Sequence, residues 1–186
     1  MKRELTCTAC RQLLGEPDLV DGVYYFVCGA CGTVREVQQQ TYDADLPTLL
    51  RRFEEEYQVT LPDSYKQFVS DDSRVQQHYE APIEGPVPTT LAYFIENNTV
   101  SIGGFYSPDP LRPMSLFSSG YLCEEWQLPK GLVLISGDGH TWIALDYRST
   151  QTDPPVVFVE SDSCEHVLIA KSFTDLLRRM RSPRDA

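Results

Sequence analysis

An α+β fold is what this 186-residue chain predicts, on three observations. Two amphipathic segments of helical period lie before residue 70. Apolar, β-branched runs separated by Gly, Asp and Pro turns lie after residue 130, and a cysteine-rich stretch stands ahead of both. The expected architecture is an antiparallel sheet packed with helices, preceded by a small unit with its own source of stability.

That unit is residues 1–40. Cys7-Thr8-Ala9-Cys10 and Cys28-Gly29-Ala30-Cys31 form two C-x2-C pairs separated by 17 residues, the spacing of a four-thiolate zinc site. Two intervening residues let the backbone fold into a knuckle that aims both sulfurs at one tetrahedral ion. Gly29 within the second pair and Gly32 just after it are positions where a residue without Cβ can take positive φ and turn backbone N–H groups toward sulfur. Between the knuckles Val23 to Val27 is strand-like, and Asp21-Gly22 before it is a turn dipeptide. A zinc ribbon is expected, with Cys7, Cys10, Cys28 and Cys31 holding one structural Zn2+, since four protein ligands leave no position for substrate.

A disulfide framework and a redox C-x-x-C compete with that reading. The first requires an oxidising compartment, whereas Met1 to Thr6 lead into Cys7 without the apolar stretch of a signal peptide. The second requires a thioredoxin-like strand-to-helix context. Zinc binding of about 10–16 kcal/mol would by itself fold a segment whose core is otherwise too small.

Residues 41–186 are read as one domain, with the boundary in the polar run Gln38 to Thr41. Asp45 is an N-cap and Pro47 falls in the first turn of a helix over 46–57, with Leu46, Leu49, Leu50, Phe53 and Tyr57 on one face. Leu61-Pro62 opens a second helix, with Tyr65, Phe68 and Val69 sharing a side. Ala81 to Pro88 is a proline-rich loop. Tyr93-Phe94-Ile95 and Val100-Ser101-Ile102 then flank Glu96 to Thr99 as a hairpin. Pro108, Pro110 and Pro113 break the chain, and Met114 to Trp126 carries a helical pattern interrupted at Gly120. Leu132–Ile135, Trp142–Tyr147 and Val156–Val159 are strands of an antiparallel meander. Ser172 caps a closing helix from Phe173 to Met180, with Arg178 and Arg179 at its C-terminal end.

The formal charge of −11 sits almost wholly after residue 40, where 12 Lys and Arg face 22 Asp and Glu. Direct nucleic-acid binding is not expected, because phosphate contacts rely on clustered Lys and Arg. The ribbon does not reverse this: it carries 4 basic and 5 acidic residues, and four thiolates on Zn2+ add net negative charge. A basic protein partner is the better electrostatic match, although the same charge also serves solubility alone. No stretch of 18 apolar residues could span a bilayer, and a cytoplasmic location without membrane contact is expected.

The order of short words after the ribbon resembles the SUKH superfamily, which includes bacterial toxin-immunity proteins and yeast cell-wall synthesis regulators. The words are Leu61-Pro62-x-x-Tyr65-x-x-Phe68, Leu128-Pro129-x-Gly131-Leu132, Gly137-Asp138-Gly139-His140, Trp142-x-x-Leu145-Asp146 and Pro155-Val156-Val157. Ile169-Ala170-x-Ser172-Phe173-x-x-Leu176-Leu177 completes the series, and the resemblance covers residues 42–182. One departure stands out. Many members carry Asn-Gly-Gly after the second helix, where this chain has Val69 to Ser73, and its nearest glycine pair is Gly103-Gly104.

The resemblance implies an α+β domain that binds a partner protein without chemistry, in bacteria commonly a toxin to be blocked in kin cells. Many such toxins are nucleases with basic clefts, which an acidic protein would attract. Asp138, His140 and Trp142, on or beside a sheet turn, are the candidate partner contacts. Each also has a structural reading, since Asp138-Gly139 is a turn former and Trp142 begins a strand. A zinc-ribbon adaptor or regulatory scaffold is the alternative. An enzyme using Cys164 with His140 or His166 is a third reading, and Cys123 and Cys164 also fit as inert thiols.

Overall fold

The structure is a computed structural model that describes residues 4–112 and 114–182. The lead-in over Met1 to Arg3 and the chain break expected at Pro113 lie outside the described residues. The N-terminal unit is a three-stranded antiparallel sheet of β1 (Asp18–Val20), β2 (Val23–Val27) and β3 (Val34–Gln38), in that order. The β1–β2 hairpin turns on Asp21 and Gly22, both at positive φ (48° and 78°), the two-residue turn whose twist matches the flanking strands. Leu5, Leu14, Phe26 and Val37 form a small core with Cys7 and Cys28. The polar run taken as a boundary is the helical turn α1 (Gln39–Tyr42), and its Tyr42 ring packs 4.8 Å from Tyr24.

The helices α2 (Leu46–Tyr57) and α3 (Asp63–Phe68) follow, as the apolar spacing predicts. The Asp45 side chain accepts the Thr48 N–H at 2.9 Å and so satisfies one of the free donors of the first turn. At the other end Gln58 turns the chain at φ 53°. Glu54 then accepts both the Leu61 N–H and the Lys66 ammonium at 2.8 Å, which fixes the angle between the two helices. A short α4 (Asp72–Val75) comes next.

The hairpin expected of Tyr93–Ile95 and Val100–Ile102 forms differently. Asn97 and Asn98 do make a tight turn at φ 52° and 62°, but Tyr93–Ile95 is not a strand. The partner of β5 (Thr99–Ile102) is β4 (Tyr79–Pro82), from a stretch whose second half was expected to be loop. The reason is burial: Tyr79 and Ala81 face the core with Val100 and Ile102, while Glu80 and Ser101 face solvent.

The segment from Met114 begins as a 3-10 turn at Leu116–Ser118 and becomes α5 (Ser119–Glu125). Gly120 lies within the helix rather than breaking it. A Cβ there would sit 3.0 Å from the Tyr57 hydroxyl, which accepts the Gly120 N–H at 3.0 Å and donates to the Phe117 carbonyl at 2.8 Å. This close approach joins α2 to α5.

The central sheet is the expected meander, β6 (Leu132–Gly137), β7 (Thr141–Asp146) and β8 (Val156–Glu160), extended by β9 (His166–Ala170). Both faces are covered, which is why its strands read as continuous apolar runs. Val133, Ile135, Ile143, Leu145 and Phe158 pack with α2, α3, the β4–β5 pair and the closing helix α6 (Phe173–Arg179). Leu132, Leu134, Trp142, Ala144 and Val157 pack on the other side with Tyr106, Leu122 and Leu128. Ser172 caps α6 by accepting the Asp175 N–H. Arg179 at its end donates to Glu84, Pro82 and Ile169, tying helix, loop and sheet together.

Candidate partner-binding cleft and metal centre

The four cysteines predicted as ligands converge. Their Sγ atoms lie within 4.8 Å of one another, with Cys7–Cys31 and Cys10–Cys28 each at 3.5 Å. A tetrahedron with metal–sulfur bonds of about 2.3 Å has edges of about 3.8 Å, so the set can hold one metal ion with little movement. The two knuckles are built alike. Cys7 accepts the Arg11 N–H at 2.9 Å and Cys28 accepts the Gly32 N–H at 2.8 Å through their carbonyls. Arg11 and Gly32 take the same left-handed turn, at φ 62° and 72°. Gly32 is thus the glycine that the turn requires, whereas Gly29 is not at positive φ.

The thiols respond to their surroundings. The backbone N–H groups of Cys10 and Ala9 hold Cys7 below the ordinary thiol range, and the Thr33 hydroxyl and N–H bring Cys31 down to about 6. Cys10 is pushed up to about 12, where the lowering effect of Gln12 is outweighed by the neighbouring sulfurs, Cys28 first. Cys7 and Cys31, held down by hydrogen-bond donors, are the two thiols of the set that ionise most readily to meet a cation.

The ribbon reaches the larger domain through Arg35. Its guanidinium donates to the Thr6 carbonyl at 3.0 Å and to the Leu111 carbonyl at 2.9 Å, and the Leu111 side chain packs on the ribbon core. Leu111 belongs to the loop that leads to Met114, at the rim of an open cleft of about 630 Å³. Phe94 and Met114 are exposed at that rim, 37% and 43%. Phe105, Tyr106, Ser136 and Trp142 are buried residues of its lining, while His78, Ser101 and Asp138 are exposed around it.

Gly103 and Gly104 also line the cleft. Gly104 has φ 120°, and a Cβ on it would meet the Val75 carbonyl at 3.1 Å. The Phe105 N–H donates to that same carbonyl at 2.7 Å. The glycine pair that is distant in sequence therefore returns to the end of α4, just beyond the place where Asn-Gly-Gly was missing.

The three predicted contact residues fare differently. Asp138 is exposed on the cleft, and its Oδ1 accepts from the His140 N–H, the Thr141 N–H and the Thr141 hydroxyl at 2.9–3.2 Å. Burial raises its pKa, but these bonds outweigh it and hold the carboxyl below the ordinary range. His140 is exposed, outside the cleft lining, with its ring 5.9 Å from Trp126. Trp142 is 1% exposed, and its six-membered ring covers Gly137, so it forms the cleft floor as core and cannot serve as a surface anchor. Phe94 and Met114 escaped the sequence reading because one had been given to a strand and the other to a helix. Their signal was apolar side chains in proline-bounded segments.

Two residues of the enzyme reading, Cys164 and His166, have other hydrogen-bond partners. The Cys164 thiol donates to the Gln127 and Ser161 carbonyls at 3.5 Å, and His166 Nε2 lies 3.0 Å from the Arg148 guanidinium. Burial pushes the Cys123 thiol up to about 11, where it is a poor nucleophile. Among the described residues no imidazole is hydrogen-bonded to a cysteine sulfur.

An antiparallel sheet with helices on both sides, bearing a cleft walled by sheet and loop, is the geometry on which the comparison with families bears. The model of the SMI1 / KNR4 family (SUKH-1) matches residues 47–179. The chain belongs to this family. SUKH domains are known as immunity proteins or cell-wall regulators, and they generally act by binding a partner protein. The SUKH-1 match starts just inside α2 and ends with α6, so the cysteine cluster lies outside it. No curated protein and no solved structure matches the chain. Among the described residues no helix is long and apolar enough to cross a membrane.

Proposed function

We propose that the chain is a non-catalytic binding protein, an immunity protein that neutralises a cognate toxin domain, with its SUKH domain as the binding unit and one structural Zn2+ in the ribbon. The observation that carries this reading is the open cleft of about 630 Å³ with Phe94 and Met114 at its rim. Exposed large apolar side chains beside a recess are the anchors that bind a partner, and the charge of −11 steers a basic one. A nuclease toxin has such a surface. The donor set of four thiolates in two knuckles supports zinc over harder ions. The zinc would be held by Cys7, Cys10, Cys28 and Cys31 and would supply folding free energy to the ribbon.

The test is co-purification of the tagged chain from its host after a moderate-salt wash, with mass spectrometry of what remains and a growth-protection assay. Recovery of the toxic domain of a larger protein, with protection lost in the Phe94→Ser/Met114→Ser variant, is the expected result. Recovery of regulatory proteins with no protection would favour the adaptor reading instead.

A further inference from the structure

The ribbon sheet has two unlike faces. Tyr24, Phe26 and Val37 point inward to Tyr42 and Leu111. The strand register puts alternate residues on the opposite face, in rows across the strands: Val20 beside Val23 beside Gln38, Asp18 beside Tyr25 beside Glu36, and Val27 beside Val34. Val20, Val27 and Val34 are 53%, 55% and 51% exposed, and none of the residues in these rows belongs to a core cluster. Neither Asp18 nor Glu36 has an ion-pair partner among the described residues.

We infer that this outer face is a second docking surface, for an extended partner segment that sets an Arg or Lys between two apolar side chains. The middle row places an aromatic ring between two carboxylates whose Cα atoms lie about 10 Å apart across three strands. A cation seated beside the half-buried Tyr25 lies between the two carboxylates, while its apolar neighbours cover the rows above and below. Charge selects the occupant. A second copy of this chain would bring its own Asp18 and Glu36 against the same carboxylates on a molecule already at −11, whereas a basic segment neutralises them. The inference rests on the partner-binding reading, and it makes the ribbon an arm of the partner surface rather than a separate module.

The experiment uses the full-length chain and two synthetic heptapeptides, Ser-Val-Thr-Arg-Thr-Leu-Ser and the same with Glu in place of Arg. Binding is followed by titration calorimetry and by amide shifts. The Arg peptide is expected to bind about tenfold more tightly than the Glu peptide, with shift changes at Val23, Tyr25 and Val27. The exposed double variant Asp18→Lys/Glu36→Lys should reverse the preference, and Phe94→Ser/Met114→Ser should leave it unchanged. Equal affinity for the two peptides, shifts confined to the cleft, no binding of either, or self-association abolished by Val27→Lys would each overturn the inference. A partner recovered by co-purification that stays bound to the Asp18→Lys/Glu36→Lys variant but not to the cleft variant would overturn it too, while leaving the immunity reading standing.

Discussion

Arg35 of the ribbon donates to the carbonyl of Leu111, 2.9 Å away and 76 positions later in the chain, on the loop that delivers Met114 to the cleft. The same guanidinium holds the Thr6 carbonyl beside the first knuckle. One side chain therefore links the cysteine cluster to the rim of the cleft. Replacing it with alanine removes two bonds from a charged donor, together worth about 1.5–3 kcal/mol of local stability. Arg35→Ala is expected to speed amide exchange at Leu116, which bonds the Ser107 carbonyl at the base of that loop, and to leave exchange in β7 unchanged. Exchange mass spectrometry reads both.

Gly137 is required by Trp142. A Cβ at 137 would lie 2.2 Å from the Trp142 Cε3 and 2.7 Å from the Thr141 carbonyl, and neither the buried ring nor the backbone can withdraw without opening the sheet. Gly137→Ala should cost about 2–3 kcal/mol, the upper part of the overpacking range. Urea unfolding followed by tryptophan fluorescence measures it, and an unchanged midpoint would refute the packing argument.

Asp146, 8% exposed, accepts the Arg148 N–H and holds its guanidinium through both carboxylate oxygens at 2.7–2.8 Å. Burial raises its pKa, but the Arg148 bonds win and the folded value lies below the ordinary one. The stabilisation is therefore complete above about pH 4 and is lost as pH falls through the folded value. Asp146→Asn should lower the urea midpoint at pH 7, and the gap from wild type should narrow at pH 3.

Metal removal should unfold the ribbon and, through the loss of the Arg35–Leu111 bond, loosen the loop at Leu111 without unfolding the larger domain. About one zinc per chain is expected in fresh protein, and less than about half would contradict the assignment. A chelator should abolish the dispersed amide signals of Val23 to Val27 while the main cooperative transition persists, because the larger core contains no ribbon residue. Cys10→Ser should reproduce the chelated state without a chelator.

What could be read without a structure was local. The helix at 46–57 was legible because its start is written in Asp45 and Pro47 and its face in leucines three and four apart. The meander was legible because strands covered on both sides are continuously apolar. The strand β4 was not, since Pro82 ends it and the residues it pairs with lie about 20 positions away. Its alternation has meaning only once β5 is beside it. The strand β9 was obscured by His166 and by the acidic turn before it, whose Asp162 and Ser163 N–H groups are accepted by Glu160 at the end of β8.

The same division runs through the candidate sites. The cysteine spacing alone named the four sulfurs that converge, because each knuckle is a short-range turn and only one long-range contact remains to be made. The cleft depended on assembly: Phe94, Met114, Gly104 and Trp142 come from four separate segments, and their meeting is a product of long-range packing. Trp142 illustrates the limit. Its sequence position beside a polar turn favours a core residue yet allows a contact, and burial of its ring in the layer between the sheet and α5 is a property of the folded layers, which no local pattern encodes.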